Sequence, residues 1–146
     1  MTDAQIRLVM RADAVFKLLL GLLLLVATWG GVYDLLRLPI AQPEVFTQAA
    51  GALAIGFAYL LSQAPDEPAL LRPIATGAAI ANGLAAFVIL VWLVTGKLGV
   101  GGFGTVLFVI VLLMLIAFAF FQFRISRLST TTSGAWAHDD ETRPLA

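Results

Sequence analysis

The sequence predicts an all-α fold: an integral membrane bundle of four transmembrane helices with both termini cytoplasmic. Three observations predict it. First, 60% of the 146 residues are hydrophobic and only 12% charged, where a soluble domain has about 45–50% and about 25%; mean hydropathy is +0.96. Second, the apolar excess is gathered into four segments of membrane-crossing length. Third, the basic residues are divided unevenly between the connections.

The first segment, about residues 14–33, contains "LLLGLLLLVATWGGV" after Lys17. An arm bearing Arg7 and Arg11 precedes it. A cleaved signal peptide is the rival reading, but no small-x-small cleavage site follows, and Asp3 and Asp13 dilute the arm. The second segment, 46–62, reads "FTQAAGALAIGFAYLLS". At about 1.5 Å per residue it reaches about 25 Å against a hydrocarbon core of about 30 Å. It must therefore tilt little, lean on neighbours or thin the bilayer. Pro39 and Pro43 in "YDLLRLPIAQPEV" separate the first two segments, and the polar turn "SQAPDEP" makes the second and third an antiparallel hairpin. The third segment, 74–95, has Pro73 at its start, where the missing N–H is tolerated or kinks the helix. The fourth, 100–123, ends "VLFVIVLLMLIAFAFFQF". These helices form one domain over residues 1–125. The Ser/Thr-rich remainder, 126–146, is expected to be a disordered cytoplasmic tail.

Between the third and fourth segments, "GKLGVGGFGTV" carries Gly99, Gly101 and Gly104 in the spacing of a dinucleotide-binding fingerprint. Such a site needs a strand before the glycines and an acidic residue about 20 positions later. Here membrane segments flank the glycines and position 124 is Arg, so the motif is a connector. Neutral net charge gives no footprint for nucleic acid. Cysteine is absent, which removes thiolate catalysis and disulfide chemistry, and the sole histidine, His138, lies in the tail. No metal or other cofactor is expected. No Asp or Glu falls inside the four segments as bounded above, which argues against a proton-coupled exporter. Lys17 is expected to snorkel from the inner end of the first helix to the headgroups.

The polar side chains expected at depth are Thr28, Thr76, Thr105 and, nearest the middle, Asn82. Around Asn82 run Gly77, Ala81 and Ala85, with Ala79 and Gly83 beside them. The second segment carries a matching stripe of Ala50, Ala54 and Ala58, with Ala52 and Gly56 adjacent. Small side chains let membrane helices approach closely, so the second and third helices are expected to be the tight central pair. Asn82 then serves as an interhelical hydrogen bond or lines a pocket. The packing role is favoured.

The opening "RADAVFKLLLGLLLL", the second segment "AAGALAIGFAYLL" and the short proline loop before the third give the chain a resemblance. Over residues 7–123 it resembles the small four-span bacterial membrane proteins grouped around the DoxX-like families. The resemblance implies a compact four-helix bundle and an accessory membrane subunit, and it transfers no catalytic residue. The expected function is thus a non-enzymatic accessory or scaffold subunit of the bacterial inner membrane. Its partners would be the bilayer and a membrane protein or second copy, with no nucleotide. The alternative is a small transporter, channel or lipid- or quinone-binding protein with a cavity near Asn82.

Orientation is directly testable. Arg7, Arg11, Lys17, Arg72, Arg124, Arg127 and Arg143 stand on one side, and only Arg37 and Lys97 on the other, which places both termini inside. A periplasm-only reporter fused after Arg127 is expected to be inactive, and one fused near Pro43 active. Activity at the C-terminal fusion would contradict the orientation or the even number of spans.

Overall fold

The computed structural model of the protein describes residues 1–27, 45–96 and 102–133, and among these it is helical with no strand. Its helices are α1 (Asp3–Ala27), α2 (Val45–Gln63), α3 (Pro68–Val94) and α4 (Gly102–Ser133). Three of them are long and apolar enough to cross a membrane: α2, α3 over Ala69–Val94, and α4 over Gly104–Leu128. Only 17% to 22% of the residues in these windows are buried. Leu53, Phe87 and Leu113 are all more than half exposed, a surface suited to lipid and not to water. The described part of α1 is different in kind, because Arg7, Arg11, Asp13 and Lys17 interrupt its apolar run. Trp29, Tyr33, Gly99, Gly101, His138 and the connectors they belong to lie outside the described residues. Gly104 falls in the first turns of α4.

The helix ends follow from local chemistry, and three of them correct the expected boundaries. α1 begins at Asp3 and not near residue 14. Thr2 and Gln5 form a reciprocal cap: the Thr2 N–H donates to Gln5 Oε1 at 2.9 Å and the Gln5 N–H to Thr2 Oγ1 at 3.3 Å. This is the capping box, which satisfies backbone donors that helix geometry leaves unpaired. α3 starts at Pro68 and therefore encloses Pro73. It stops where Gly96 adopts φ +65°, a left-handed C-cap that glycine takes without strain. α4 continues to Ser133, so residues 126–133 are helical and the expected tail loses its first turns. Ile125 and Ser126 are buried there. Arg127 stacks on Phe123 one turn back at 4.4 Å, which holds the helix beyond its apolar stretch.

The helices associate as two pairs. α1 packs along α2 and α3 along α4, whereas α2 and α3 barely touch despite the short turn that joins them. This overturns the expected tight pairing of the second and third helices. The backbones of α1 and α2 approach closely at Gly21 and Gly51. A Cβ on Gly21 would lie 2.7 Å from the Gly51 carbonyl oxygen, and one on Gly51 would lie 2.8 Å from that of Gly21. A Cβ on Gly56, Gly77 or Gly83 would meet nothing within 4 Å. Spacing alone could not separate these glycines: the stripes of small residues lie on α2 and α3, whereas Gly21 stands alone in a Leu run, and only the pairing decides which are covered.

At one end of the bundle, Met10, Ala14, Leu61, Ala64, Ala75, Ala78 and Ile125 form a buried cluster drawn from all four helices and the α2–α3 turn. Arg7 and Arg11 reach Asp66 in that turn at 2.9 and 3.4 Å. These ion pairs are about half exposed and contribute at most about 1 kcal/mol, but they mark the start of α1 and the turn as neighbours. A second cluster, Ala86, Leu112 and Leu115 with Phe16 packed against it, lies farther along.

The glycine geometry gives an expected stability order. Gly21→Ala and Gly51→Ala force backbones apart and are expected to lower stability by about 1–3 kcal/mol. Gly83→Ala meets open space and gains helix propensity, so it is expected to be neutral or stabilising by up to about 1 kcal/mol. Denaturation in mild detergent ranks the three. Equal loss at Gly21 and Gly83 would contradict the observed pairing.

Candidate functional site

On α1, Asp13 and Lys17 stand four residues apart and so share a face. The Lys17 ammonium donates to both Asp13 carboxylate oxygens, at 2.6 and 2.7 Å, and to Asn82 Oδ1 on α3 at 2.7 Å. The Asn82 amide donates in turn to Asp13 Oδ2 at 3.1 Å and to Gln122 Oε1 on α4 at 2.8 Å. Gln122 Nε2 completes the ring by donating to Asp13 Oδ2. Asp13, Asn82 and Gln122 are at most 1% exposed and Lys17 is 8% exposed. All three ammonium hydrogens and both Asn82 amide hydrogens are thereby used. Among the described residues, no buried side-chain nitrogen or oxygen lacks a partner.

This cluster corrects two expectations. A carboxylate does lie inside the bundle: Asp13 belongs to α1 and not to a flanking arm, and it is fully buried. Lys17 does not snorkel, because the geometry that would carry it to the headgroups is given up for the carboxylate beside it. An unpaired buried charge costs several kcal/mol, and paired charges with saturated hydrogen bonds recover most of that. The sequence held the signals. Thr2-x-x-Gln5 places Asp13 within a helix, the Asp13–Lys17 spacing is that of a helical ion pair, and Gln122 interrupts the aromatic run "FAFFQF".

Above the cluster, in the seam between the two helix pairs, is a cavity of about 450 Å³. Its walls are Phe16, Leu20, Leu23 and Leu24 of α1, Ala54 and Phe57 of α2, Ala81, Ala85 and Ile89 of α3, and Leu107, Phe108, Val111 and Leu115 of α4. Lys17 and Asn82 are its polar floor, whereas Asp13 and Gln122 sit behind that floor and do not line it. Lys17 Nζ also stands 5.5 Å from the Phe57 ring centroid, a cation–π contact.

Of the residues singled out from the sequence, the structure gathers Asn82, Ala54, Ala81 and Ala85 at this cavity. Thr76 is exposed, and its hydroxyl donates to the Arg72 carbonyl one turn back at 2.9 Å. Gly56, Gly77 and Gly83 face outward. Sequence reasoning missed Asp13 and Gln122, and the aromatic and Leu walls from α1 and α4. Among the described residues, no group of three or more His, Cys, Asp or Glu side chains could hold a metal ion.

Three apolar helices of membrane-crossing length, and a buried charged cluster under an apolar cavity, define a helical protein of the membrane class with an internal site. No family model, no curated protein and no solved structure matches the chain.

Proposed function

We propose that this chain is a non-enzymatic, multi-pass protein of the bacterial inner membrane that binds a small hydrophobic molecule between its two helix pairs. All four helices cross the bilayer in this reading, with both termini cytoplasmic. Pairing supports the inclusion of α1, since Asp13 and Lys17 neutralise each other and the residues after Lys17 are apolar. The observation that carries the binding role is the cavity. Its volume of about 450 Å³ falls in the range of about 300–1,000 Å³ found for small-molecule sites. Its lining, almost wholly apolar with Lys17 and Asn82 at one end, is that of a pocket that takes an apolar body.

A scaffold role is the second reading, favoured by one feature. Gly56, Gly77 and Gly83 have open space above them, single points at which the backbone of a helix from another protein or copy could approach.

Extraction in mild detergent separates the two. Wild type is expected to carry a roughly equimolar hydrophobic small molecule, recoverable in organic solvent and visible by mass spectrometry. Ala85→Phe, which fills the cavity from α3, is expected to stay folded and lose it. A stoichiometric protein partner with no small molecule would overturn the binding role in favour of the scaffold.

A further inference from the structure

We infer that the cavity takes a compact hydrocarbon body, branched or ring-bearing and of about eighteen carbons, with no polar atom inside the space; the inference rests on the binding role proposed above. The surface presented to the space is almost wholly apolar, even at the end that Lys17 and Asn82 form. Their polar atoms are taken up within the cluster. The ammonium hydrogens go to Asp13 and Asn82 Oδ1, and the amide hydrogens to Asp13 and Gln122. A carbonyl brought into the space finds no free donor there. Taking the Lys17 hydrogen from Asn82 Oδ1 would only move the deficit to that buried atom, and an unsatisfied acceptor is costly wherever it sits. A charged group is excluded more strongly, because Asp13 already balances Lys17 and, among the described residues, no other charged side chain lines the space. Hydrocarbon gives up no hydrogen bond on entry.

Size and proportion set the shape. An apolar cavity of about 150 Å³ holds a benzene ring. The volume here, about 450 Å³, takes three times as many carbons, about eighteen. The walls run from Phe16 to Leu24 on α1, from Ala81 to Ile89 on α3 and from Leu107 to Leu115 on α4, eight residue steps on each helix. At about 1.5 Å per step the space is about 12 Å tall. A straight chain of about eighteen carbons, extended at about 1.2 Å per bond, reaches about 20 Å. It would have to fold back on itself and lose conformational freedom in doing so. Rings or branches put the same carbons into a shorter, wider body that is already ordered before it binds.

The test compares the fused-ring hydrocarbon androstane with n-nonadecane, the straight chain of equal carbon number. The third probe is the androstane dione with a ketone at each end, so that a carbonyl enters the space whichever way the molecule turns. The unfolding temperature of the protein in mild detergent is followed against the mole fraction of each probe in the micelle, and its saturation supplies the affinity. Ala85→Phe and, from α2, Ala54→Leu fill the space and supply the micelle's own effect, which is subtracted. Androstane is expected to stabilise wild type saturably and to bind about tenfold more tightly than n-nonadecane and than the dione. A dione that binds as tightly as androstane would overturn the exclusion of polar atoms. Equal binding by n-nonadecane, or a diacyl phospholipid recovered in equimolar amount from purified wild type, would overturn the compact body. The binding role is read separately. If wild type yields its own extractable small molecule but no probe saturates, the occupant class fails and the role stands; with neither, the role itself fails.

Discussion

A carboxylate buried at the centre of a helical bundle has no water to hydrate it, so its partners must come from the protein. Asp13 finds four hydrogen bonds, two from Lys17 on its own helix and one each from Asn82 on α3 and Gln122 on α4. That requirement organises the molecule. The α1–α2 pair is held internally by the Gly21–Gly51 approach, and the α3–α4 pair by its long contact. Contacts between the pairs are sparse, so the polar cluster and the buried apolar layer beneath it join the halves. Dispersion alone discriminates poorly between helix faces in lipid, because the tails are as apolar as the side chains. A cluster whose every member must be satisfied at once fixes register and rotation.

The cavity follows from the same arrangement. With the pairs clasped at the level of Lys17, the seam above is bordered by Ala54, Ala81 and Ala85, side chains too short to close it. The small residues that would have served close helix packing instead leave space. What they leave is an almost wholly apolar space that ends on Lys17 and Asn82.

Much of the architecture was legible in the sequence because membrane helices are announced by length and uniform apolarity: α2 lies close to its expected place, and α3 and α4 contain most of theirs but run on by six and ten residues. The start of α1 was not read, although Thr2-x-x-Gln5 signals it, because charges near an apolar run look like an interfacial arm. Asn82 was legible as a buried polar group, since an amide at the middle of a span must face protein. Its partners were not. Asp13 and Gln122 are forty or more residues away in sequence, and which helices pair is a property of tertiary packing that no periodicity along one helix carries. The glycines show the same limit: Gly83 stands among small residues and Gly21 in a Leu run, yet only Gly21 faces a neighbouring backbone.

The central claim is that Asp13 on α1 and Gln122 on α4 act together across the two halves. A double-mutant cycle with Asp13→Asn, Gln122→Leu and the combined variant, read as unfolding free energy in mild detergent, measures that coupling. The expected result is a coupling of about 0.5–3 kcal/mol, with the second substitution costing less once the first is present. Additivity within about 0.3–0.5 kcal/mol would contradict the claim, because two residues that never meet across the seam have nothing to lose twice.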